Sequence, residues 1–203
     1  MKSNRAPETL VAQARHFIEP ESGAIIPPIQ PSSTFARDED YELKQGYLYS
    51  RYTSPPMDHA EELIAELEGG AASMLFGSGL AAIAAVIETV PNGGHIILPR
   101  IMYFGAQAWF QRCAEKRGLK LDLVDQTDPE AIAAAIRPGT TDLVWIETPA
   151  NPTWDIVDIE QTAAIAHEAG AILGVDGTAA PPCTTRALAH GADITMAIQI
   201  FRR

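Results

Sequence analysis

Residues 143–178 read LVWIETPANPTWDIVDIEQTAAIAHEAGAILGVDGT, and the reading of this stretch decides the fold class. Leu143–Glu147 and Ala171–Val175 are short apolar runs, and residues 158–169 between them carry apolar positions at helical spacing. A strand that returns through a helix to a second strand predicts a parallel pair, because a tight hairpin cannot reverse the direction twice. Each run ends on a chemically loaded segment, Thr148-Pro149-Ala150-Asn151-Pro152 after the first and Asp176-Gly177-Thr178 after the second.

The same alternation extends outward in both directions. Met74–Phe76, His95–Pro99, Leu119–Val124 and Ile194–Ile198 are further strand candidates, and helices are expected near 79–90, 104–117, 129–137 and 184–190. Asp128 is placed to cap the 129–137 helix, with Pro129 in its first turn. Repetition of strand and helix implies an α/β fold, a doubly wound and mostly parallel sheet covered on both faces. Further upstream, Met57, Ala60, Leu63, Ile64 and Leu67 follow helical spacing, and Gly69-Gly70 supplies the stop. Residues 1–56 are Pro-rich and irregular, so they are expected to form an arm wrapping its own domain or a neighbouring subunit, ahead of a sheet domain over 57–203.

Composition narrows the function. The 203 residues are 46% hydrophobic, enough for one domain with a core, and the formal net charge is -11 with fifteen scattered Lys and Arg, which argues against a nucleic-acid partner. The two cysteines, Cys113 and Cys183, have no C-x-x-C spacing, and His16, His59, His95, His167 and His190 show no metal-ligand spacing, so no metal or disulfide is expected. No stretch is long and apolar enough to cross a bilayer, and a cytoplasmic location is expected.

Ligands of open parallel sheets bind beyond the carboxyl ends of the strands. Gly77-Ser78-Gly79-Leu80 opens a helix of small residues, and the amides of Gly79 and Leu80 suit a phosphate, although a plain strand-to-helix turn fits as well. Tyr103, beyond His95–Pro99, is able to stack on a planar ring and move a proton, or simply to pack. Asn151 is held between two prolines in what is otherwise a turn. Asp176, at the end of a buried run, needs a partner such as a protonated pyridine nitrogen, unless it caps the next segment.

These pieces occur in one order. Glu8-Thr9-Leu10, Gly23-Ala24-Ile25-Ile26-Pro27-Pro28-Ile29, Ser33-Thr34-Phe35, Tyr49-Ser50-Arg51-Tyr52-Thr53, Leu67-Glu68-Gly69-Gly70, Gly77-Ser78-Gly79-Leu80, Glu147-Thr148-Pro149-Ala150-Asn151-Pro152, Val175-Asp176-Gly177-Thr178 and Gly191-Ala192-Asp193-Ile194 follow one another. Over about residues 8–194 the chain resembles the transsulfuration family of pyridoxal-phosphate (PLP) enzymes of Cys/Met metabolism, which includes cystathionine γ-synthase, the cystathionine lyases, methionine γ-lyase and the O-acylhomoserine sulfhydrylases.

The resemblance implies the fold-type-I architecture of PLP-dependent transferases, PLP as cofactor, and a sulfur-containing or O-acylated amino acid as substrate. It gives the Gly79 and Leu80 amides to the cofactor phosphate, Tyr103 to ring stacking and proton transfer, Asn151 to the phenolic oxygen, Asp176 to the ring nitrogen and Thr178 to support of that site. By the same resemblance Tyr49 and Arg51 reach the phosphate of a neighbouring subunit, which implies a homo-oligomer, a dimer or a pair of dimers.

One element departs from the family. Its Ser-x-Thr-Lys segment, whose lysine forms the Schiff base with PLP, has no counterpart, since the chain continues from Ile194 as Thr195-Met196-Ala197-Ile198-Gln199-Ile200-Phe201-Arg202-Arg203. The remaining lysines, Lys2, Lys44, Lys116 and Lys120, fall at no strand's carboxyl end. The chain is therefore expected to be a truncated N-terminal half, inactive alone. Two other readings stand beside this one. The first is a noncatalytic partner of a complete paralogue. The second is an NADP-binding Rossmann domain, because Gly77-Ser78-Gly79-Leu80-Ala81-Ala82 fits G-x-G-x-x-A.

Overall fold

The inner strands of the sheet domain are apolar on both faces, and their side chains divide between two cores. Ile96 and Leu98 of one strand, and Leu143 and Trp145 of another, join Ile83, Val86, Ile87 and Phe110 in the first core. Ile97, Val144 and Ile146, the alternate residues of the same strands, join Ile132, Ala163, Ala166 and Leu173 in the second. Alternation of this kind on a sheet without a polar face requires helices on both sides.

The computed structural model describes residues 6–197, which fall into two compact units divided between Leu75 and Phe76. In the second unit the order is α3 (Gly79–Glu88), β1 (His95–Pro99), α4 (Phe104–Arg117), β2 (Lys120–Val124), α5 (Pro129–Ala135), β3 (Thr141–Glu147), α6 (Ile159–Glu168), β4 (Ile172–Asp176) and β5 (Ile194–Met196), where α1 and α2 lie in the first unit. The five strands are all parallel, in the spatial order β2-β1-β3-β4-β5. Helices α3 and α4 cover one face, while α5 and α6 cover the other. Asp128 caps α5, its carboxylate accepting the Glu130 N–H at 2.9 Å.

Two expectations are corrected. Met74–Phe76 is not a strand. Met74 is 74% exposed, and the Leu75 N–H goes to Glu61 Oε1 at 2.8 Å; a three-residue apolar run with no strand beside it has no ladder to join. The helix expected over 184–190 is a single 3₁₀ turn, Ala187–His190, because Thr184 turns back onto Pro181 and the two threonines favour local hydrogen bonds over helix. The last strand is described as Ile194–Met196, Ala197 after it is not assigned to a strand, and the expected end at Ile198 lies outside the described residues.

The first unit holds α1 (Pro7–Ala12), a 3₁₀ turn at Ala14–His16, an irregular stretch, and α2 (Pro55–Glu68). Pro55 and Pro56 open α2 where no intrahelical N–H is needed, and Gly69 closes it at φ 74°, a left-handed geometry that glycine accepts without penalty. Arg15 ties the turn to α2 through Glu62 and Glu66. The stretch between the helices makes only isolated bridges, Thr34 with Tyr49 and Arg37 with Leu43. Ile25, Ile26 and Ile29 within it are exposed, Ile29 almost completely at 96%.

Candidate functional site

In the order β2-β1-β3-β4-β5 the chain leaves β1 for β2 on one side, then crosses back to β3 on the other. The loops after β1 and β3 therefore part, leaving a crevice at the carboxyl ends of the strands. A cavity of about 190 Å³ opens there, and all of its lining residues belong to the second unit.

One wall is the start of α3. Ser78 is its N-cap in extended geometry, and its hydroxyl accepts the Ala81 N–H at 3.2 Å. The N–H groups of Gly79 and Leu80 precede the first intrahelical bond and find no acceptor among the described residues, and both residues line the cavity.

A second wall is Tyr103, the residue just before α4. Its ring lies against Gly105, where a Cβ would stand 2.8 Å from Cε1, and its residue is 40% exposed. The ring thus keeps one side to its own helix and leaves the rest open.

Asp176 ends β4 and is 5% exposed. It accepts the Thr178 N–H at 3.0 Å, and among the described residues no ion pair reaches it. Burial, offset in part by Thr178, pushes its carboxyl above the ordinary value of 3.8, and the charge of nearby Glu147 adds to the rise. Asn151 sits in the loop after β3, whose Thr148–Pro149 and Asn151–Pro152 peptides are both cis. The Val157 N–H bonds to Thr148 Oγ1 at 3.0 Å and closes that loop.

Gly79, Leu80, Tyr103, Asn151, Asp176 and Thr178 thus line one cavity. Tyr49 and Arg51 belong to the first unit, where the guanidinium stacks on the Tyr49 ring at 5.1 Å and bonds its hydroxyl at 3.3 Å. The dinucleotide alternative loses its footing, because its fingerprint needs a strand before the glycine turn and Met74–Phe76 is irregular.

Sequence reasoning missed Glu147. This residue ends β3, is 6% exposed, and accepts the Tyr103 N–H at 2.8 Å through Oε2 and the Asn151 N–H at 2.9 Å through Oε1. Gln126 braces its backbone from both sides, donating to the carbonyl at 2.8 Å and accepting the N–H at 3.0 Å. The signal was present, since Glu147 is a carboxylate ending a buried run in the same way as Asp176. Among the described residues no cluster of His, Cys, Asp and Glu is arranged to hold a metal ion, and no helix is long and apolar enough to cross a membrane.

Comparison with known proteins identifies the family. The sequence profile of the Cys/Met metabolism PLP-dependent enzymes matches residues 8–198. Cystathionine gamma-lyase of Homo sapiens is 40% identical over 176 residues, covering 86% of this chain and 43% of that protein. A probable cystathionine gamma-synthase of Herpetosiphon aurantiacus is 37% identical over 180 residues, covering 88% of this chain and 56% of that protein. Among solved structures, cystathionine gamma synthase from Xanthomonas oryzae pv. oryzae superposes with a TM-score of 0.88 at 32% identity, over 96% of this chain and 50% of that one. The chain therefore spans about half the length of the relatives it matches. A match running nearly end to end, together with the crevice at the switch point, establishes that the chain belongs to the Cys/Met metabolism family of PLP-dependent enzymes.

Proposed function

We propose that the cavity at the carboxyl ends of β1, β3 and β4 is the cofactor site of a carbon–sulfur lyase or transferase acting on sulfur-containing or O-acylated amino acids. The observation that carries this reading is Asp176: a carboxylate buried to this degree without a counter-ion is costly, and a protonated ring nitrogen would be its cationic partner. The other residues fit the same group. Gly79 and Leu80 offer free amides to a phosphate, Tyr103 offers a ring face and a phenol that moves a proton, and Asn151 offers an amide to a phenolic oxygen. Thr178 keeps the Asp176 carboxylate in place. Bound PLP supplies an electron sink for the amino-acid substrate.

Lys44, Lys116 and Lys120 are absent from the cavity lining, and Lys2 lies outside the described residues. In this reading the residues that line the cavity hold PLP by noncovalent contacts, and the chain alone does not turn substrate over. Tyr49 and Arg51, already paired with each other, extend toward the phosphate of a neighbouring subunit in a cytoplasmic homo-oligomer.

Titration of PLP into the 203-residue chain, followed by cofactor absorbance and tryptophan fluorescence, tests the proposal. Saturable binding that inorganic phosphate competes away and Asp176→Ala weakens is expected. Binding indifferent to Asp176→Ala would defeat the site assignment, and a borohydride-stable adduct on any native lysine would defeat the noncovalent mode.

A further inference from the structure

We infer that Glu147 is a positioning residue for the cofactor site, one carboxylate that sets the distance between the Tyr103 ring and the Asn151 amide across the crevice. The inference rests on the cofactor reading above and adds a residue to it. Tyr103 follows β1 and Asn151 follows β3, and these two parallel strands pair only as far as Ile97 with Val144, so no ladder pair fixes one loop against the other. Glu147 supplies the missing link, with each carboxylate oxygen accepting one backbone N–H, at 2.8 Å from Tyr103 and 2.9 Å from Asn151.

The link is built to be rigid. Glu147 is 6% exposed, and the 4%-exposed Gln126 grips its backbone N–H and C=O in the manner of a neighbouring strand. Only a carboxylate can hold both amides, because both of its oxygens accept, whereas a glutamine has one acceptor and would turn its amide N–H₂ toward a second donor. Its charge is also expensive, because Glu147 stands in register beside Asp176 on the adjoining strand and the two buried acids repel. Packing alone gives no reason to keep a second buried anion there; a crevice that must fix two recognition groups and attract a cationic ring does.

Two measurements on the 203-residue chain test this. Without cofactor, hydrogen exchange should show the Tyr103 and Asn151 amides protected relative to Phe104, whose N–H has no acceptor among the described residues. In E147Q at least one of the two should exchange about ten times faster. Exchange of both wild-type amides as fast as Phe104 would overturn the clamp even where E147Q fails to fold.

With PLP present, E147Q should weaken binding about ten-fold, in keeping with the loss of a residue that supports a binding shell, and should change the circular dichroism of the bound ring. A merely structural role would lower the melting temperature and leave that ring signal as it is in wild type. Unchanged affinity and an unchanged signal would overturn the positioning role. Protected amides in a wild-type chain that binds no PLP would uphold the clamp and refute the cofactor reading, so the two failures are distinct.

Discussion

Thr178 meets the Asp176 carboxylate with its side-chain hydroxyl and with its backbone N–H, the latter at 3.0 Å, and this pairing, the hydroxyl first, is the offset the fold provides against burial of that charge. It is insufficient, since the carboxyl remains raised above 3.8. With a folded value above the unfolded one, the native state binds the extra proton, so the stability contributed by this group is full below about pH 3.8 and lost as pH rises through the folded value. At neutral pH Asp176 therefore destabilises the cofactor-free chain. Asp176→Asn is expected to raise its melting temperature at pH 7 and flatten this part of the pH dependence. The same variant should weaken PLP binding at least about ten-fold, as loss of one partner of a buried charge pair does. Paired melting and titration experiments check both.

Gly105 sits under the Tyr103 ring, where an added Cβ would approach Cε1 to 2.8 Å and the hydroxyl oxygen to 3.0 Å. Gly105 is the second residue of α4, a position that alanine fills without cost to the helix, so Gly105→Ala should leave α4 intact while forcing the ring aside. The expected outcome is a chain as stable as wild type, within about 1 kcal/mol in urea unfolding, that binds PLP more weakly. Equal affinity would mean that the ring position is immaterial.

Much of the sheet domain was legible because its elements carry their own signals. His95–Pro99 and residues 104–117 formed as expected, and Asp128 caps its helix, since a buried run, a helical period and a cap are local patterns. Met74–Phe76 was misread because a strand exists only with a neighbour, and none lies beside it among the described residues. Asp176 was legible as a charge with no local counter-charge. Glu147 was passed over because its partners, Tyr103 and Asn151, meet only once β1 lies next to β3, and strand order is not written in any one segment. The loops drew attention while the strand end that joins them did not.

Gly174 lies on β4 opposite Trp145 in register, and a Cβ there would meet the indole Cε3 at 2.6 Å. Trp145 is 1% exposed and packed against Phe110, with ring centroids 6.1 Å apart, so it has little room to yield. Gly174→Val should destabilise the chain by about 1–3 kcal/mol through overpacking, in spite of the better strand propensity of valine. Urea denaturation with an unchanged m-value checks this, and a neutral result would mean that the indole is free to move.

His95, fully buried at the start of β1, gives the opposite end of the sheet its own pH dependence. Its Nδ1 meets Thr141 Oγ1 at 2.9 Å and its Nε2 meets Asp122 at 3.0 Å. Thr141 Oγ1 already accepts the Arg137 N–H at 2.9 Å and keeps its hydroxyl proton to give to Nδ1, and with the carboxylate of Asp122 at Nε2 this favours the neutral ring with its proton on Nε2. Burial, then the Arg137 charge, holds the ring below its ordinary value of 6.5 against the pull of Asp122 and Asp142. A depressed folded value means that the unfolded chain takes up the proton first: the stability is present above about pH 6.5 and is lost as pH falls toward the folded value. Denaturation midpoints should therefore drop between pH 7 and pH 5, with that drop reduced in His95→Gln although the variant is less stable at pH 7. An equal drop in both proteins would assign the pH dependence to another group, and a ¹⁵N spectrum with Nδ1 protonated at pH 7 would reverse the tautomer.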